Sequence, residues 1–283
     1  MNFNLNAKLL SHLPPELELA QRAVFYGDCL FETIRMFDGS LLLLDRHLER
    51  LFSGLKALGY QVPDHWSVRF FAGEIGKIAG GNARIRLTVW RSPGGLYYPE
   101  NSTPQFLITA SELNSSQLIW REEGIRLGIC ETVRLPIDDF SRFKTLNGAR
   151  YVAAALEARS SHWDDGLVRN TAGRIAEATS SNVFWWEKEC LFTPPLAEGC
   201  VAGTMRDLII RAAGETEQVA VEKMLPEDVI SEADEIFLTN AIQGIVPVRI
   251  FAGKSLPHDR TRLVFDKIQT VINALRAAGA DEM

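Results

Sequence analysis

The period of the apolar positions changes several times along the chain, and each change marks an element. Leu30–Phe37 reads as a strand, followed across the Asp38-Gly39 turn by a second at Leu41–Leu44. Leu44, Leu48, Leu51, Phe52, Leu55 and Leu58 then recur at helical spacing, a stripe that must pack on the sheet. Asn82–Trp90 alternates polar and apolar residues as a half-buried strand does, and Gln105–Thr109 is a further strand. These elements predict an α+β first domain over residues 1–113, ending near the polar stretch Ser111–Ser116. In the larger second domain, residues 114–283, Ile125–Val133 and Gly166–Val168 are apolar runs, and Asn182–Trp186 with Cys190–Thr193 forms a hairpin. Helices are expected at about Gly148–Ser161, Gly203–Ala213 and Leu263–Ala278, with the sheet curled against them.

Composition narrows the function classes. With 46% hydrophobic and 23% charged residues in 283, the chain has ample material for packed cores. A net charge of −6 gives no overall footprint for nucleic acid, although local arginines can still bind a small anion. Cys29, Cys130, Cys190 and Cys200 form no C-x-x-C pair, so neither a metal site nor a disulfide framework is expected, and a reducing cytoplasm fits. The N-terminal stretch lacks the pattern of a secretory signal, and no apolar run approaches the roughly 20 residues of a membrane span.

Five places carry candidate chemistry. Lys144 is one of only eight lysines and sits between the proline-containing stretch 134–143 and a helix. Most lysines decorate solvated faces, but a desolvated one has a depressed pKa and condenses with aldehydes. His47 and Arg50 share one helix face, and the guanidinium fork suits phosphate. Glu198–Arg206 enters a helix through Gly199 and Gly203, a natural anion site. Thr239-Asn240-Ala241 follows a strand and offers further donors, and Glu177 offers a carboxylate. Taken singly, each reads equally as a solvated charge, a cap or a turn.

In this order, however, the segments resemble the class IV aminotransferases, the fold type IV pyridoxal-phosphate (PLP) enzymes. Tyr26–Arg35 (YGDCLFETIR) resembles the family's YGDGLFE(T/G)IR strand, and His47–Leu51 its HxxRL helix. Lys144-Thr145-Leu146-Asn147 stands where the cofactor lysine is expected, and Glu177–Phe184 resembles the E(A/G)xxxN(L/I)F segment. Val201–Arg206 is similar to the phosphate-binding turn, and Thr239-Asn240-Ala241 with Ile245–Val248 to the closing segment. The resemblance implies a small α/β sandwich-like domain covering the cofactor and a larger pseudo-barrel-like domain carrying the lysine. It also implies a homodimer. By the same resemblance Lys144 carries the cofactor and shuttles a proton, while Glu177 pairs with the pyridine nitrogen. Arg50, Gly203, the backbone of Thr204 and Met205, and the turn Thr239, Asn240, Ala241 hold the phosphate.

Tyr26 and Phe31 would line the pocket. Arg86 would meet a substrate carboxylate, and Tyr97, in the Arg91–Tyr98 loop, would touch the substrate. Two departures stand out. Cys29 replaces a glycine, and the tyrosine that many members place four or five residues after the lysine is missing; Tyr151 lies further on, without an assigned role.

Phe31-Glu32-Thr33, Lys144–Asn147 and Asn240-Ala241 look more like the 4-amino-4-deoxychorismate lyase group, which expels pyruvate and leaves 4-aminobenzoate. The alternative is an aminotransferase acting on branched-chain or D-amino acids with a 2-oxo acid acceptor. A non-catalytic binding protein on this fold would be expected to lack the lysine or the carboxylate, and both are present.

Overall fold

The computed structural model describes residues 3–10, 22–214 and 220–280. Contacts divide the chain into two units: Met1–Gln117 with Phe143–Asn147 and Arg276–Met283, and Leu118–Arg142 with Gly148–Leu275. Unit 1 is built on β1 (Phe3–Leu5), β2 (Lys8–Leu10), α1 (Arg22–Tyr26), β3 (Cys29–Phe37), β4 (Ser40–Leu41), α2 (Leu44–Ala57), α3 (Val68–Gly76), β5 (Ala83–Arg91) and β6 (Pro104–Glu112). Its six strands run in the order β2-β1-β6-β5-β3-β4, all antiparallel. One sheet face presents Leu30, Ile34, Met36, Ile85, Leu87, Val89, Phe106 and Ile108 to the apolar stripe of α2, where Leu44, Leu48, Leu51 and Leu55 are buried. That is the packing its helical spacing demands.

Three expectations change in detail. Leu41–Leu44 does not continue as a strand: Ser40 and Leu41 pair with β3, Leu42 N–H donates to the Arg35 carbonyl, and Leu43 adopts a left-handed φ of 53° that turns the chain into α2. Ser111 and Glu112 are not linker but the end of β6, paired with Arg84 and Ala83. Helix α3, unannounced by periodicity, is capped by Ser67, whose side chain accepts from the Phe70 N–H at 3.2 Å.

Unit 2 comprises β7 (Ile125–Leu135), α4 (Ala149–Ser160), β8 (Asp165–Asn170), β9 (Ile175–Ala178), β10 (Asn182–Glu187), β11 (Cys190–Thr193), α5 (Thr204–Gly214), β12 (Ala220–Glu222), α6 (Glu227–Ser231), β13 (Glu235–Asn240), β14 (Gly244–Phe251), β15 (Lys254–Ser255) and most of α7 (Asp259–Ala280). Its curled nine-stranded sheet runs β12-β11-β10-β13-β14-β7-β8-β9, with β15 on β14. The expected hairpin β10–β11 forms, and Phe184 stacks on its cross-strand partner Phe237 with ring centres 5.0 Å apart. The β14–β7 and β7–β8 pairs are parallel.

The segment Phe143–Asn147 belongs with unit 1, although the sequence places it in the second domain. Phe31 N–H donates to the Lys144 carbonyl at 2.9 Å and Leu146 N–H to that of Cys29 at 3.1 Å, so the segment runs along β3. Among the described residues no helix is long and apolar enough to cross a membrane, and no cluster of His, Cys, Asp and Glu could hold a metal ion.

Candidate active site

Strand alternation sorts the candidates of unit 1 onto two faces. Opposite the apolar core, Phe31 and Thr33 project together, and the β3–β5 register sets Thr33 directly across from Arg86. The pairing of 143–147 with β3 brings Lys144 to the same place: its Nζ lies 4.7 Å from the centre of the Phe31 ring, and the Arg86 guanidinium 3.9 Å from it. Arg86 is half-buried, and burial together with the charge of Arg84 lowers its proton affinity. Among the described residues it has no carboxylate or hydrogen-bond partner. A partly desolvated guanidinium without a counter-ion beside a lysine is a receptor for an anionic group.

Glu32 points the other way, into the core, and meets α2. It is 1% exposed. His47 Nδ1–H donates to its Oε2 at 2.6 Å, while Arg50 donates Nε to Oε1 at 2.8 Å and Nη2 to Oε2 at 2.5 Å. Burial alone would raise the Glu32 carboxyl, but the Arg50 charge and the two residues' bonds hold it down at about 2. Burial also keeps His47 below its ordinary value, so the neutral ring is the donor. Arg50, the expected phosphate ligand, therefore has two of its donor atoms committed to Glu32, a residue that the sequence did not single out for this task.

Tyr26 and Tyr97 approach with ring centres 5.4 Å apart; Tyr97 itself is 88% exposed. The loop that carries Tyr97 is pinned by Arg22, whose Nη1 donates to the carbonyls of Gly94 (3.0 Å), Gly95 (3.2 Å) and Leu96 (2.6 Å). Asp28 accepts from Arg22 Nε and Arg91 Nε on one oxygen and from the Tyr60 hydroxyl on the other. Cys29 costs the backbone nothing, since it begins a regular strand. The left-handed conformation falls on Gly27, with φ of 64°.

In unit 2 Glu177, on β9, is 3% exposed and is held by donors from three directions. The Tyr151 hydroxyl donates to Oε1 at 2.6 Å; Val201 N–H (3.0 Å) and Asn182 Nδ2 (3.3 Å) donate to Oε2. Asn182 also donates to the Val201 carbonyl at 2.9 Å, tying β10 to the turn before α5. Gly203 makes that approach possible, because a Cβ there would lie 2.0 Å from Asn182 Oδ1. The helical ladder of α5 starts with Asp207 N–H to the Gly203 carbonyl, so the amides of Thr204 and Met205 sit at its N-terminal end, an arrangement suited to phosphate. In the turn 239–241 the side chains serve structure: Thr239 Oγ1 donates to the Gly244 carbonyl, Asn240 Oδ1 accepts from Ile242 and Gln243, and Asn240 Nδ2 donates to Ser181. The side chains of Thr239 and Asn240 are thus taken up within the fold.

These residues fit PLP chemically. A half-buried lysine suits its aldehyde, a buried and heavily hydrogen-bonded carboxylate suits its ring nitrogen, and a glycine-led helix start suits its phosphate. Comparison with known proteins agrees. The profile described as amino-transferase class IV matches residues 29–251. The chain is 30% identical to aminodeoxychorismate lyase of Vibrio harveyi over 94% of its own length and 96% of the relative's. It is 27% identical to a putative branched-chain-amino-acid aminotransferase of Methanocaldococcus jannaschii over 98% and 96%. The fold matches branched-chain aminotransferase of Thermoproteus uzoniensis with a TM-score of 0.85 at 21% identity, covering 96% of this chain and 94% of that one. The chain belongs to the class IV aminotransferases, the PLP-dependent enzymes of fold type IV.

Proposed function

We propose that the protein is a 4-amino-4-deoxychorismate lyase, which eliminates pyruvate and releases 4-aminobenzoate, acting as a cytoplasmic homodimer in folate biosynthesis. The observation that carries this reading is the Phe31-Glu32-Thr33 stretch beside Lys144, the form that resembles the lyase group. The substrate bears two carboxylates and a ring, and this face offers a guanidinium without a counter-ion among the described residues, a hydroxyl and the Phe31 ring next to the Lys144 amine. The full-length likeness to the Vibrio harveyi lyase supports the same choice.

When bound, PLP supplies an electron sink that acidifies the carbon–hydrogen bond beside the attached nitrogen. The protein does the rest. Lys144 Nζ would hold the cofactor through its aldehyde carbon and would be the base for that proton. Glu177 would pair with the ring nitrogen, and Gly203, Thr204, Met205, Arg50 and the backbone of 239–241 would hold the phosphate. Arg86 orients a substrate carboxylate, Tyr26 and Phe31 line the pocket, and Tyr97 touches the substrate.

A second reading, aminotransferase, is favoured by the 27% identity to the archaeal relative and uses the same lysine, carboxylate and phosphate donors. One experiment separates the two. The purified protein should show the absorbance of lysine-bound PLP, and Lys144→Ala should abolish it. Aminodeoxychorismate should then yield pyruvate and 4-aminobenzoate in equal amounts. Absence of both products, with an amino acid converting the cofactor to its pyridoxamine form, would establish the aminotransferase instead.

A further inference from the structure

Tyr151 stands on the first turn of α4, seven residues beyond Lys144, where neither composition nor resemblance gave it a task. Its ring packs against the buried cluster that includes Val168, Ala176 and Cys200, so the hydroxyl is delivered from a fixed position. That hydroxyl donates to Glu177 Oε1 at 2.6 Å, at the short end for a bond to a carboxylate. Burial, and then the Glu177 charge, push the phenol well above its ordinary range, which keeps it protonated and a donor. Val201 N–H and Asn182 Nδ2 engage the other oxygen, so Glu177 is stabilised as an anion from both sides.

A carboxylate paired with a pyridinium in a water-poor site has two arrangements. The proton can stay on nitrogen, as an ion pair, or pass to oxygen, leaving two neutral partners. Low polarity favours the neutral arrangement, and hydrogen bonds donated to the carboxylate favour the ion pair. Only the protonated ring is a strong electron sink, so the donors to Glu177 bear on the reaction without touching its reacting atoms.

We propose that Tyr151 is a positioning residue whose hydroxyl, by donating to Glu177, keeps the shared proton on the cofactor's ring nitrogen rather than on the carboxylate. The proposal rests on the reading of Glu177 as the partner of that nitrogen. A tyrosine that merely filled its packing site would be replaced by phenylalanine without electronic consequence, whereas a donor would not.

The test is the nitrogen-15 resonance of protein reconstituted with PLP labelled at the ring nitrogen, recorded at one neutral pH. Tyr151→Phe should move the resonance toward that of unprotonated pyridine while cofactor binding weakens by no more than about tenfold. Placing 3-fluorotyrosine at position 151, a stronger donor in the same shape, should move it the opposite way. This second arm decides the matter if the phenylalanine variant fails to take up cofactor. Glu177→Gln separates the layers of the argument. If it moves the resonance and neither change at 151 does, the role of Tyr151 is overturned and the Glu177 pairing stands. If Glu177→Gln also leaves the resonance unmoved, Glu177 is not the nitrogen's partner and the underlying reading falls with the proposal.

Discussion

Gly203 shows how much one missing methyl group decides. An alanine there would place Cβ 2.0 Å from Asn182 Oδ1, and Asn182 would have to leave a position where it bonds both Glu177 and the Val201 carbonyl. Gly203→Ala is expected to cost about 1–3 kcal/mol of stability, as overpacking does, and to weaken PLP binding about tenfold or more. Thermal unfolding and equilibrium dialysis against PLP measure the two effects. A lowered melting temperature with unchanged PLP affinity would confine Gly203 to packing.

The same scale separates what the sequence discloses from what it hides. Lys144, Glu177 and Gly203 lie in short motifs whose neighbours announce them. Tyr151 and Glu32 act through partners 26 and 18 residues away, and only folding creates those pairs. The inward direction of Glu32 follows from the alternation set by Leu30 and Ile34, but its partners on α2 do not.

Among elements, the amphipathic α2 and the alternating β5 were legible because their one-sided burial imposes a period. Helix α3 was not, since its aromatic pair Phe70-Phe71 and small residues carry no clean stripe over nine positions. The parallel order β14-β7-β8 was equally hidden: β14 and β7 are separated by more than a hundred residues, and no local signal encodes their neighbourhood. The backbone of the Arg91–Tyr98 loop is fastened by a short helix, which no local signal in the loop announces. Arg22 of α1 collects the Gly94, Gly95 and Leu96 carbonyls on one nitrogen while Asp28 holds its Nε. Removing this pin by Arg22→Ala should speed amide exchange in residues 92–100 and raise KM about three- to tenfold with a smaller change in kcat. Unaltered exchange in that loop would show that Arg22 fastens α1 alone.

For the whole molecule, the cluster of Glu32, His47 and Arg50 ties folding to pH. The Glu32 carboxyl lies at about 2 in the folded chain against an ordinary value of 4.5, so the folded state binds its proton less readily than the unfolded state does. The resulting stabilisation, about 3 kcal/mol by linkage, is complete above the ordinary carboxylate range and is lost as pH falls from 4.5 toward 2. Glu32→Gln should be less stable at neutral pH, with its denaturation midpoint approaching that of the parent as the solution is acidified. Parallel curves for the two proteins would show that the pH dependence arises elsewhere.

The division of the chain has a further bearing on heredity and engineering. Unit 1 is assembled from three separate stretches of the chain, and the one with the Lys144 amine is five residues long. A fragment ending at residue 117 would lack that amine, and one beginning at 118 would carry it without the strand it pairs with. Swapping halves between relatives at this boundary would set one protein's lysine against the other's β3. Recombination and chimaera design must therefore move Phe143–Asn147 together with residues 1–117, or leave both in place.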